Sequence, residues 1–221
     1  MIELYHCMNA RSFRPLWTLE EMGLAYDLKM LPFPPRVLAR EYKKLNPLGT
    51  IPLLLDGSAC MTESSAICHY LATRHGPSPL ALDPSEDEYG AFLNWTHFGE
   101  ATLTFPQTLV LRYSMFEAPE RRLPQVASDY AQWFLARLRA IESTLEGREF
   151  LCAGRFTVAD ISVAYSLLLA TTLRLDGDFG PNVAAYWARL QQREGYLRAQ
   201  ASQRAAAEKA GLPLDGPVSD E

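Results

Sequence analysis

At 221 residues the chain is long enough for one large domain or two small ones sharing an interface, and 48% hydrophobic with 21% charged residues is a globular composition. A net charge of −5 argues against a nonspecific hold on nucleic acid or acidic lipid, and no apolar run approaches the ~20 residues that cross a bilayer. The four cysteines (Cys7, Cys60, Cys68, Cys152) form no C-x-x-C pair and the four histidines no paired spacing. No metal centre is therefore expected, and a reducing cytoplasm is the expected compartment.

Residues 2–7 lean towards β structure and enter it with no basic leader region, so no secretory signal is expected. Met8 to Arg11 reads as a loop. From Ser12 the apolar spacing Phe13, Leu16, Trp17, Leu19, Met22 predicts a helix that ends at Gly23, with Pro15 tolerated in its first turn. Tyr26–Met30 alternates as a second strand. Pro32-Phe33-Pro34-Pro35 is a stiff connector, and a short polar helix follows from about Val37 to Leu45. Asn46-Pro47-Leu48-Gly49 is a turn. Ile51 to Met61 reads as a hairpin around Asp56-Gly57, and Thr62-Glu63-Ser64-Ser65 opens a helix reaching about Arg74. The order β-α-β-α-β-β-α suits a thioredoxin-like α/β layer over residues 1–76.

Residues 77–84, rich in proline, form the clearest linker, and strand signals stop beyond it. Residues 85–221 are expected to be all-helical. A helix from Ser85 to about Tyr113 should kink or end at Pro106, and a second runs from Pro119 to Leu145. Thr157-Val158-Ala159-Asp160 is a capping-box start to an apolar helix, Ile161 to about Thr171, at the centre of this domain. Asp160 is read as structural. Ala184–Arg193 and Tyr196–Ala210 are the last helices, and Leu212–Glu221 reads as a loose tail.

Pro52 is out of place in an apolar strand, because proline gives up a ladder donor there. A cis Ile51-Pro52 bond would turn the Ile51 backbone outward, towards a ligand's own backbone. Gly49-Thr50-Ile51-Pro52, followed by Glu63-Ser64-Ser65-Ala66-Ile67, resembles the glutathione-binding half of the glutathione S-transferase family. Arg155-Phe156-Thr157-Val158-Ala159-Asp160 resembles the capping motif of that family's helical domain. The resemblance covers nearly the whole chain. It implies a thioredoxin-like domain followed by an all-helical domain, glutathione as co-substrate, no metal, a hydrophobic electrophile as second substrate, and a homodimer.

The resemblance also implies site residues. Ile51 and Pro52 would meet the cysteinyl backbone of glutathione, and Glu63 and Ser64 its γ-glutamyl end. Arg36 is a candidate for the glycyl carboxylate. The sulfur would lie by the loop Cys7 to Arg14, where a hydroxyl, a helix N-terminus or a cation lowers a thiol's pKa. Ser12 and Arg11 are the catalytic candidates. Ser12 also reads as a plain N-cap, and Arg11 as a solvated charge. Arg11 falls where cysteine-type members carry their cysteine, and the serine-type position falls nearer Asn9 or Ala10, so the loop departs from both patterns. Cys7 leaves a glutathione-dependent thiol or disulfide reductase open, and a non-catalytic binding module is the third reading. A pocket for the second substrate would draw on Phe98, Thr102, Phe105 and Tyr113.

Overall fold

A computed structural model describes residues 1–214. The expected tail therefore falls mostly on residues outside the described ones. The described chain forms two compact units. One is Met1–Ser78 together with the chain from Gln192 onward, and the other is Pro79–Gln191.

The first unit is built on a four-stranded sheet in the order β2-β1-β3-β4, from β1 (Ile2–His6), β2 (Tyr26–Met30), β3 (Leu53–Asp56) and β4 (Ala59–Met61). β1 runs parallel to β2, with Ile2 opposite Tyr26, and antiparallel to β3, with Leu4 opposite Leu54 and Tyr5 opposite Leu53. The parallel pair requires a crossover, which α1 (Phe13–Met22) supplies. Its Phe13, Leu16, Trp17 and Leu19 are fully buried, and it stops where Gly23 takes φ 62°. The short α2 (Pro35–Leu38) continues into a 3-10 segment, Arg40–Lys44. Next, α3 (Ser64–Arg74) buries Ile67, Cys68 and Leu71.

The second unit is helical. α4 (Tyr89–His97) passes through a π-helical segment, Phe98–Thr104, into α5 (Phe105–Leu111) and a second π segment, Arg112–Phe116. The helical run continues through Pro106, so the expected kink or stop there gives way to a wide π turn just before it. A residue without an N–H is tolerated at the start of α5 for that reason. The wide turn presents the Gly99 carbonyl to two hydroxyls, Thr104 Oγ1 at 2.7 Å and Ser166 Oγ at 2.9 Å. Gly99 allows this close approach, since a Cβ there would come 2.5 Å from the Ser162 backbone. Pro119 opens only a 3-10 turn, Pro119–Arg121, and the long helix α6 (Pro124–Thr144) starts at the later proline. α7 (Val158–Thr172) is buried over most of its length, as its apolar sequence predicts, and α8 (Pro181–Leu190) follows.

The last helix, α9 (Glu194–Ala210), packs on α1 and β2 rather than with the helices before it in the chain. Arg193 grips the Glu21 carboxylate with two bonds of 2.8 and 2.9 Å, and Arg198 donates to the Glu20 carbonyl at 2.6 Å. The sequence division at residues 84 and 85 groups α9 with the other helices because their compositions look alike. Side-chain packing groups it with the sheet. Among the described residues, no helix is long and apolar enough to cross a membrane, and no three His, Cys, Asp or Glu side chains cluster as metal ligands do.

Candidate functional site

The candidate residues gather at one end of the sheet. Tyr5 pairs with Leu53, so the chain leaving β1 at Cys7 and the chain entering β3 from Ile51 lie at the same edge. The loop after β1 is compact: the Ala10 N–H donates to the Cys7 carbonyl at 3.2 Å, and the Phe13 N–H to the Ala10 carbonyl at 2.8 Å. Asn9 stands at φ 51°, a left-handed conformation unusual outside glycine.

Ser12 occupies the N-cap position of α1 but makes no side-chain cap. It is fully buried, and its Oγ accepts the Cys7 N–H at 3.3 Å. That hydroxyl faces the protein interior. Arg11 beside it is half-buried. Cys7 is also fully buried, its thiol donating to the Pro32 carbonyl at 3.7 Å, and burial pushes its pKa up to about 12. Cys68 is pushed up to about 12 by the same cause, although Thr18 and the Arg14 charge pull it the other way.

The second wall is the segment before β3. The Ile51-Pro52 bond is cis, and Ile51 lies just outside the strand ladder. The turn feeding it is braced from inside, because the Thr50 carbonyl accepts from the Tyr42 hydroxyl at 2.7 Å and from Asn46 Nδ2 at 2.8 Å. Gly49 takes φ 62°, and a Cβ there would sit 2.8 Å from Arg36 Cβ. Arg36, otherwise exposed, is thereby held two residues from Ile51.

The third wall is the start of α3. Glu63 is its exposed N-cap residue and makes no side-chain cap. Ser64 is nearly buried, and its Oγ accepts from Arg14 Nη1 at 3.0 Å. Arg14 has no exposed surface at all, so its guanidinium lies buried beneath the helix tip. A cation there adds to the positive end of the helix dipole, and both favour a bound carboxylate.

Residues 10–74 match the sequence model of the glutathione S-transferase N-terminal domain, and residues 120–194 that of the C-terminal domain. Glutathione S-transferase 3 of Schizosaccharomyces pombe is 30% identical over 183 residues, covering 77% of this chain and 74% of its own. The chain belongs to the glutathione S-transferase family. A bacterial member, glutathione S-transferase GstA of Escherichia coli O157:H7, is 25% identical over 195 residues, covering 87% of this chain and 94% of the relative. Among solved structures, a glutathione transferase of Phanerochaete chrysosporium in complex with oxidized glutathione superposes with a TM-score of 0.81. It is 26% identical, and the match covers 93% of this chain and 97% of that one.

Two side chains at this candidate site are not marked by the sequence. Arg14, flanked by Phe13 and Pro15, carries no pattern that marks it. Gln203 does carry a faint one. Tyr196, Ala199, Gln203 and Ala207 form the buried stripe of α9, at helical spacing, and glutamine is the one polar side chain among apolar and small ones. Its Oε1 accepts the Asn9 N–H at 3.1 Å and lies 3.0 Å from His6 Nε2, and its Nε2 donates to Asn9 Oδ1 at 2.8 Å. In the second unit, Phe98, Thr102 and Tyr113 are partly exposed and Phe105 is 55% exposed, so none of the four belongs to that unit's core.

Proposed function

We propose that the protein joins glutathione to a hydrophobic electrophile. The solved relative binds oxidized glutathione, and the same tripeptide suits the three walls here. The Ile51 backbone would meet the cysteinyl residue, and Pro52 would shape that approach. Glu63, Ser64 and the start of α3 would take the γ-glutamyl group over the Arg14 charge, and Arg36 would take the glycyl carboxylate. The thiol proton leaves to solvent. The sulfur lone pair forms a C–S bond, and the leaving group departs with the bonding pair, or an added carbanion takes a proton from water.

Arg11 is proposed as the cation beside the sulfur, where its charge favours thiolate over thiol. Ser12 is proposed as a support for the loop, since its buried Oγ takes the Cys7 N–H. Asn9 would border the same sulfur. A homodimer in the cytoplasm completes the proposal, by analogy with the family.

The observation that carries conjugation over thiol–disulfide exchange is the condition of Cys7. An exchange nucleophile must be an accessible thiolate. Cys7 is inaccessible, and its pKa of about 12 leaves almost no thiolate at neutral pH.

The test combines calorimetry with glutathione, turnover of an activated nitroaryl halide, and reduction of a small disulfide, each on wild type and Cys7→Ala. The expected outcome is binding, measurable conjugation, and less than about a twofold change in either activity for the variant. Loss of disulfide reduction in Cys7→Ala would favour the reductase. No binding heat at millimolar glutathione would favour a non-catalytic module.

A further inference from the structure

We infer that Gln203 is a positioning residue for the proposed conjugation: from α9 it holds Asn9 in its left-handed conformation and so aims the loop Cys7–Arg11 at the glutathione sulfur. This rests on the glutathione site proposed above.

The hydrogen-bond arithmetic leaves the amide one orientation. A backbone N–H can only donate, so the atom facing Asn9 N at 3.1 Å must be the Gln203 oxygen. His6 Nε2 faces that same oxygen at 3.0 Å and must therefore carry a proton. The Gln203 NH2 group then spends its two protons on Asn9 Oδ1 at 2.8 Å and Gln200 Oε1 at 2.7 Å. Both lone pairs and both protons of a fully buried amide are in use.

Asn9 is held twice, once by backbone and once by side chain. The backbone bond secures a residue at φ 51°, a region non-glycine residues avoid. The side-chain bond fixes the Asn9 amide with its oxygen turned to α9, and hence its NH2 end turned away from that helix. The anchor itself is firm, because Arg193 and Arg198 tie α9 to the last turn of α1. The loop at the sulfur is thus braced at one end by Ser12 and in its middle by a residue 194 positions away.

The test is Gln203→Met, which keeps length and apolar packing and removes all four bonds, with Leu197→Met, at an exposed position of the same helix outside the network, as the control. The apparent pKa of the bound glutathione thiol is read from thiolate absorbance across pH, alongside kcat and KM. Gln203→Met should lower kcat roughly tenfold, in line with misplacement of reacting groups. It should also raise the bound thiol's pKa by about one unit and leave KM for glutathione within about threefold. Leu197→Met should match wild type in all three.

A folded Gln203→Met protein with the wild-type thiol pKa and kcat overturns the inference and leaves the transferase reading standing. A wild type that depresses no bound thiol's pKa removes both. Should Gln203→Met not fold, amide exchange of wild type decides. The Asn9 N–H should be protected as well as the amides of α9, and rapid exchange there overturns the clamp.

Discussion

At the start of α7, Asp160 lies wholly buried beneath four donors, whereas at the end of β1, His6 lies wholly buried against one amide oxygen. The Asp160 oxygens accept from the Leu151 N–H at 3.1 Å, the Thr157 N–H at 2.8 Å, the Thr157 hydroxyl at 3.2 Å and the Tyr186 hydroxyl at 2.8 Å. Burial still pushes its pKa up to about 6, against those donors. Burial pushes His6 down to about 4, against the pull of Gln203 and of the Ser12 backbone. The Asp160 partners are mostly within ten residues, whereas the side-chain partner of His6 comes from the other end of the chain. A locally closed site carries its own instructions, while a site closed at long range depends on the tertiary fold.

The largest expected break is Asp160→Ala. It strands two buried N–H groups and the Tyr186 hydroxyl, and should cost about 3–5 kcal/mol. Urea denaturation should show the midpoint falling with an unchanged slope. A loss below about 1 kcal/mol would mean the four donors find other partners.

The pH dependence of the two sites should run in opposite directions. The unfolded state binds the His6 proton more readily, because its value there is near 6.5 against about 4 in the fold. Its contribution is therefore full above pH 6.5 and is lost as pH falls through 4, by about 3 kcal/mol at most. For Asp160 the fold binds the proton more readily, at about 6 against 3.8. Its contribution is present below pH 3.8 and is lost as pH rises through 6, by a similar amount of about 3 kcal/mol. Denaturation midpoints at several pH values, compared with His6→Asn and Asp160→Ala, should give double differences of opposite sign. Like signs would refute the contrast.

The smallest effect concerns how α9 is attached. A Cβ on Gly195 would come 2.5 Å from the Glu21 carboxyl carbon, and that carboxylate is already committed to Arg193 and Trp17. Gly195→Ala should shift the carboxylate and cost about 1 kcal/mol, read as a modest fall in thermal midpoint.

The same contrast explains what the sequence discloses. The hairpin after Pro52, the opening of α3 at Glu63 and Ser64, and the Thr157–Asp160 cap are all written within a few residues, and each is found where the sequence places it. The π segment around Gly99 is not written locally, since Ser162 and Ser166 of α7 meet it there. The fully buried state of Ser12 and of Arg14 is equally invisible, because serine at a helix start and arginine in a first turn are ordinarily surface residues. The placement of α9 depends on Glu20 and Glu21, more than 170 positions upstream of their arginine partners.

Chain order adds a consequence for biosynthesis. The helix that completes the sheet-bearing unit is translated after the whole of the other unit, because Pro79–Gln191 intervene. At ordinary elongation speeds, roughly ten seconds separate the emergence of Ser78 from that of Gln203. During that interval the nascent sheet lacks the amide that seats His6 and Asn9, and the intervening helices have time to collapse first.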